Sequence, residues 1–270
     1  MLPLVTAVVQ FFVVVAVSLA AVLLKTIDAR GFLASAAVGF AVMYGGGFQW
    51  FTIVAAFFIL GVAFTLYKYG YKRKLGGAQG KGGARNWPHI LANGGVASIA
   101  AVANLFYPSP ALAAAFLGAV SAAAADTAAT ELGLLSKGQP RLITNPSKTV
   151  LPGTSGGVSP LGFVGAAFAS AVIGALGLIL GVLPDHYFLF PICLAGGLVG
   201  AVADSLIGAS VQRKGHCVVC LKPTESLKHC GEKTRTTKGS PFVENNVVNV
   251  AATVAGAAAA TAVLLAAYAL

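Results

Sequence analysis

The sequence predicts an all-α protein, a polytopic bundle of about eight membrane-spanning helices. Three observations lead there. Of the 270 residues, 57% are hydrophobic and only 10% charged, against about 25% charged in soluble domains. The apolar residues fall into eight runs, and all 18 Lys and Arg lie between them in four places. So few charges cannot cover a water-soluble globule, and only a bilayer tolerates this much outward apolar surface. The composition excludes a disordered chain, an ordinary soluble enzyme and a nucleic-acid module, despite a formal net charge of +10.

The first run, 2–24, carries no charge before Lys25. No small-residue cleavage site follows a short core, so an uncleaved span is expected rather than a signal peptide. The others are 31–46, 48–67, 90–107, 111–132, 161–183, 187–210 and 246–270. About 20 helical residues cross the ~30 Å hydrocarbon layer. The 31–46 run is short and ends in glycines, which suggests a tilted or half-buried segment. The whole chain is expected to form one membrane domain: N-terminal spans in 1–67, a core in 80–265, and a cysteine-containing loop at 211–245. Small-residue stretches at 94–103, 111–125 and 162–171 suit either tight helix packing or an open lateral groove for a lipid tail.

The basic residues set the orientation. Lys25 and Arg30 lie in the first connection. Lys68, Lys72, Arg73, Lys74, Lys81 and Arg85 lie at 68–89, and Lys137, Arg141 and Lys148 at 133–160. Arg213, Lys214, Lys222, Lys228, Lys233, Arg235 and Lys238 lie at 211–245, while the turns near 47, 108–110 and 184–186 have none. By the positive-inside rule the four basic loops face the cytoplasm of a multi-pass cell-membrane protein, with both termini outside. A weak parallel repeat joins 122–130 (AAAADTAAT) to 199–208 (VGAVADSLIG), each holding Ala-x-Ala-Asp and a hydroxyl residue.

Ionisable groups within spans cost about 2.5–3.5 kcal/mol on insertion scales and are functional candidates by default. Asp126, Asp204 and Glu131 are of this kind, though Glu131 suits a headgroup position equally well. Asp126 and Asp204, at equal depth, are candidates to share Mg²⁺ through oxygen ligands. Upstream of the sixth span, Asn145 to Ser159 includes Gly153, Thr154, Ser155, Gly156 and Gly157, with Lys148 and Arg141 nearby. Glycines there admit positive φ and close backbone approach, and a helix N-terminus follows, so phosphate binding is expected. No Gly-Lys-Ser/Thr ends the loop, which excludes a Walker A motif.

Arg85, Asn86, His89 and Asn93 open the fourth span; Glu244, Asn245, Asn246 and Asn249 open the eighth. The spacings 86/89/93 and 245/249 put members on one helical face. Arg85 and His89 are candidate catalytic groups. The asparagines, with Thr127, Thr130, Ser205 and Glu131, are candidate substrate contacts. All these clusters belong to one membrane face, whereas channels and transporters more often keep polar groups near the midplane. That contrast favours an enzyme with a water-soluble anionic co-substrate. The last basic loop holds Cys217, Cys220 and Cys230 with His216 and His229. Structural zinc, free thiols and a disulfide all remain open there. Cys193 is expected to be packing.

These residues resemble a family of integral-membrane proteins long known only as a domain of unknown function, which includes plant phytyl-phosphate kinase and vertebrate transmembrane protein 19. The likeness covers about 80–265. It rests on the run from Asp126-Thr127 to Glu131, on Asn145-Pro146 through Gly153 to Ser159, on Asp204 through Ala209, and on the Cys-x-x-Cys loop ending in Glu244-Asn245-Asn246-x-x-Asn249. It implies transfer of a nucleotide γ-phosphate, CTP favoured, to an isoprenoid monophosphate. A transporter or flippase of a lipid phosphate or other anion, and a prenol kinase, are the alternative readings. The expected partners are the lipid bilayer and an isoprenoid monophosphate, with a homodimer open and no nucleic acid.

Overall fold

A computed structural model describes residues 2–75, 83–183 and 188–269. Lys81, Tyr187, Leu270 and the 184–186 turn lie outside the described residues. Among those described, seven helices are long and apolar enough to cross a bilayer. They are α1 (Leu2–Leu23), α2 (Ala29–Leu66), α4 (Trp87–Phe106), α5 (Pro110–Gly133), α6 (Pro160–Ile179), α7 (Leu189–Ser210) and α8 (Asn245–Tyr268). A short basic helix, α3 (Tyr69–Lys74), was not anticipated.

The second helix has 38 residues, about 57 Å if straight and nearly twice the hydrocarbon thickness. It is not straight. Gly47 sits at φ 71°, ψ −167°, a conformation open to glycine because it has no Cβ. A Cβ on Gly39 would meet the Phe51 ring at 3.3 Å, although a straight helix would separate the two positions by about 18 Å. Gly31 near one end packs against Ile90, and Gly61 near the other packs against Arg85. The chain therefore doubles back at Gly47 into two arms, giving eight membrane-length segments. The first arm is not curtailed: it starts at Ala29, where Asp28 accepts a hydrogen bond from Gly31 N at 2.6 Å.

Helix starts follow local chemistry. Asn86, Ser109 and Ser159 cap α4, α5 and α6 with side-chain oxygens, and a proline follows each in the first turn, where it lacks only an N–H that would have no partner. The central helix is α5, with 72% of its apolar stretch buried against 17% for α1. Around it run α2, α4, α8, α7 and α6, each touching the next, with α2 and α6 in the loosest contact of the ring. Small residues permit this crowding. A Cβ on Gly118 would strike the Gly256 carbonyl, and one on Gly196 would lie 2.7 Å from Gly118 Cα. Ala122 is fully buried against Gly200 and Gly256. On that face of α5 a lateral groove is replaced by tight backbone packing.

The four basic connections meet at one end. Arg85 N donates to Thr26 O at 2.9 Å, and Asp28 N to Arg85 O at 3.2 Å. Lys214 Nζ donates to Ser155 O at 3.3 Å. These loops also carry short strands absent from the all-α expectation: β1 (Arg141–Leu142), β2 (Asn145–Thr149), β3 (Gly157–Val158), β4 (Lys214–His216), β5 (Pro223–Thr224), β6 (Lys228–His229), β7 (Glu232–Lys233) and β8 (Arg235–Lys238). They form sheets ordered β2-β1-β3 and β5-β4-β8, and a β6-β7 hairpin.

Candidate active site

At the basic end the helices leave a cavity of about 500 Å³. Helix ends build its wall. The N-terminal turns of α4, α6 and α8 contribute Asn86 and His89, Ser159 and Phe163, and Asn245, Asn246 and Asn249. Opposite them, α5 supplies Asp126, Thr127 and Thr130, and α7 supplies Asp204 and Ser205. The run Gly153, Thr154, Ser155, Gly156 and Gly157 closes one side. Three helix N-termini turn the positive ends of their dipoles to the cavity, so it attracts anions.

Asp126 and Asp204 are in side-chain hydrogen-bond contact. Two carboxylates so placed repel unless a proton or a cation lies between them. Asp204 Oδ2 is buried with no hydrogen-bond partner, an oxygen available to a hard cation. The weak repeat explains why they meet. Gly200 packs on Ala122, and each aspartate follows its member of that pair by one helical turn, so matching positions of the two segments lie at equal depth.

Burial holds the Arg85 guanidinium down to a pKa of about 10, opposed by the charge of Glu131, so it stays cationic near neutrality. It lies 5.7 Å from the Phe57 ring centre and 5.4 Å from that of Phe58, threaded past Gly61, where a Cβ would strike it. The glycine loop has φ of 82° at Gly153 and 81° at Gly156. A Cβ on Gly156 would lie 2.7 Å from Ala209 Cα, so the missing side chain lets this loop seat on the end of α7.

Several expected contacts fall elsewhere. Glu131 does not line the cavity: it is buried in an ion pair with Lys72, whose ammonium also donates to the Phe64 and Thr65 carbonyls at 2.6 and 3.0 Å. That pairing ties α3 and the end of α2 to α5. Asn93 is buried one turn below the cavity and donates to His89 O at 2.9 Å. Asn145 and Lys148 lie on the solvent-facing strand β2, and Arg141 donates to Pro146 O at 2.7 Å. None of these three lines the cavity, because β1 and β2 pair with each other and lift them outward. The cavity-side loop is met from behind by Lys214, whose ammonium burial pulls below its ordinary pKa, with Glu225 opposing. Asn86 and Ser159 line the cavity while capping their helices.

Glu225 is a cavity residue that sequence reasoning missed. It accepts hydrogen bonds from Ser155 Oγ and from Gln212 Nε2, the latter at 2.8 Å, and its charge acts on Asp204. Nothing in its spacing distinguishes it from Glu232 in the same loop. Farther out, Cys217, Cys220, His229 and Cys230 bring their ligand atoms within 4.8 Å of one another. His216 stands outside that group, and none of the four cysteines is paired in a disulfide. Cys193 is fully buried in the core, as packing requires.

The family model described as integral membrane protein DUF92 matches residues 12–257. Protein PGR of Arabidopsis thaliana is 30% identical over 251 residues, covering 83% of this chain and 84% of the relative. An uncharacterized membrane protein of Methanocaldococcus jannaschii is 32% identical over 197 residues, covering 71% and 77%. The chloroplastic protein VTE6 of Arabidopsis thaliana is 25% identical over 198 residues, covering 71% of this chain and 58% of its own length. No solved structure matches the chain.

Proposed function

Because the chain belongs to the DUF92 family of integral membrane proteins, we propose that it is a membrane-embedded, Mg²⁺-dependent isoprenoid-phosphate kinase. It transfers the γ-phosphate of a nucleoside triphosphate, CTP favoured, to an isoprenoid monophosphate and yields the diphosphate. One observation carries this reading: three helix N-termini and Arg85 face a pair of touching carboxylates across one cavity. Anion donors alone would suit any phosphate, and the carboxylates alone would repel it. Together they suit phosphates that arrive with a divalent cation.

The partnerless Oδ2 of Asp204 and the contact with Asp126 fit Mg²⁺. When bound there, Mg²⁺ neutralises charge on the nucleotide phosphates, as phosphoryl transfer requires. The loop from Gly153 to Gly157 and the start of α6 receive the triphosphate through backbone N–H groups. Arg85, Asn86 and His89 hold the lipid phosphate. An oxygen of that phosphate attacks the γ-phosphorus, the bond to the bridging oxygen breaks, and the nucleoside diphosphate leaves. A lipid monophosphate is already largely ionised, so His89 orients it rather than removing a proton.

The tail stays in the bilayer, since exposing it would cost about 0.8 kcal/mol per CH₂. Phe163 on α6 lines the cavity and is also 41% exposed, and α6 makes its loosest contact of the ring with α2. The tail leaves the site along this side of α6. The four basic loops face the cytoplasm by the positive-inside rule, where nucleotide is available.

Incubating the purified protein with Mg²⁺, CTP or ATP and geranylgeranyl phosphate tests the proposal. Geranylgeranyl diphosphate and nucleoside diphosphate should appear in equal amounts. Movement of the lipid phosphate across liposomes without nucleotide consumption would make the protein a transporter, and phosphorylation of geranylgeraniol alone would make it a prenol kinase.

A further inference from the structure

The last basic loop is held together by almost nothing apolar. Among the described residues from 213 to 244, Arg213 and Cys217 carry the only fully buried side chains, while Val218, Val219, Leu221 and Leu227 are exposed. Small units without a hydrophobic core are usually fixed by a metal or by disulfides. Here the three cysteines form no disulfide. We propose that Cys217, Cys220 and Cys230, through their sulfurs, and His229, through Nδ1, bind a structural Zn²⁺. The site lies apart from the phosphotransfer cavity and does not depend on that reading.

The spacing suits a tetrahedral site, with all four ligand atoms within 4.8 Å of one another. With Zn–S near 2.3 Å and Zn–N near 2.0–2.1 Å, tetrahedral ligand atoms lie about 3.5–3.8 Å apart. His229 Nδ1 is 3.5 Å from Cys220 Sγ and 3.2 Å from Cys230 Sγ. Cys217 Sγ accepts from Val219 N at 3.4 Å and from Cys220 N at 3.5 Å, contacts that stabilise a metal-bound thiolate. Positive φ at Leu221 (58°), Cys230 (52°) and Gly231 (84°) turns both ligand-bearing segments inward. Neighbouring His229 and Cys230 reach one ion because Nδ1 is the ring nitrogen nearer the backbone. His216 takes no part.

This ion fixes a segment that reaches the cavity. Glu225 and Ser226 lie between Cys220 and His229 in sequence and line the cavity wall. Arg213 clamps the segment from inside, donating to the Glu225, Ser226 and Thr234 carbonyls at 3.2, 2.7 and 3.1 Å. The zinc closes the outer base of the loop and Arg213 its inner side. Binding releases the three thiol protons, as metal ligation by cysteine must.

Metal analysis of the full chain, purified in detergent without chelator, should find one zinc per chain. Replacement by Co²⁺ should give thiolate-to-cobalt charge-transfer absorption. Cys217→Ser with Cys220→Ser should abolish both, His216→Ala should change neither, and His229→Cys should retain the metal because a thiolate replaces the imidazole. Helix content should be the same in all variants, since the spans do not rest on this loop. The wild-type protein alone can overturn the proposal. It fails if added Zn²⁺ leaves the loop thiols freely titratable and Co²⁺ gives no thiolate band, or if the cysteines are found as a disulfide.

Discussion

Asp204 keeps a buried carboxylate oxygen with no protein partner, and that oxygen is the most specific chemical feature of the cavity. Amide replacements keep the shape but remove the charge that a cation needs. We expect Asp126→Asn and Asp204→Asn each to lower kcat on the order of 10²-fold or more, as loss of a preorganised electrostatic partner does, with gel-filtration behaviour unchanged. Intact turnover in both folded variants would sink the cation site. Glu131 poses the opposite case. Its partner Lys72 is fully buried, so Glu131→Gln strands an ammonium among two carbonyls, and breaking a buried pair costs about 3–5 kcal/mol. The thermal midpoint in detergent should fall sharply, and Lys72→Met combined with Glu131→Leu should recover much of it. An unchanged midpoint in the single variant would contradict the pairing. Lys148 is exposed on β2, and exposed charges contribute only about 0–1 kcal/mol. Lys148→Ala should therefore raise the nucleotide KM less than about fivefold.

At the scale of elements, the bundle is governed by where helices approach and where they do not. On α5, Gly118 and Ala122 bring the backbones of α7 and α8 into contact. A Phe at position 122 has no space, and overpacking costs about 1–3 kcal/mol, so Ala122→Phe should depress expression and activity alike for every substrate. The other side differs. Between α2 and α6 stands an edge-to-face pair, Phe64 and Phe168, at 6.4 Å, and Phe163 lines the cavity while partly exposed. Phe163→Trp should raise the KM for geranylgeranyl phosphate while leaving dimethylallyl phosphate little affected, because only a long tail must pass along this side of α6. Equal effects on both substrates would move the tail path elsewhere. The doubled α2 shows the same logic in the backbone: Gly47 alone supplies the reversal, and its two arms return Gly31 and Gly61 to the α4 start.

For the whole molecule the decisive asymmetry is charge. Every Lys and Arg belongs to the four basic connections, so trypsin should cut the protein from only one face of sealed vesicles. Lys228, Lys233 and Arg235 are exposed and should be cleaved in inverted vesicles while right-side-out vesicles protect the chain. Cleavage in both would overturn the single-sided topology. That asymmetry and the apolar runs were legible in the sequence, because lipid thickness and loop charge act on local segments. So was the meeting of Asp126 with Asp204, through matching segments of two parallel helices. The sequence could not place Glu131, Asn93, Lys148, Asn145 or Arg141, since each bears a plausible phosphate-site chemistry and only long-range packing or strand pairing decides where it faces. It could not single out Glu225, whose arrival depends on how a loop without an apolar core folds around Arg213 and the cysteines. It left open whether small residues meant a groove or a tight crossing. Three-dimensional packing decided this where α5 closes against α7 and α8, because helices approach only as closely as facing side chains on both partners allow.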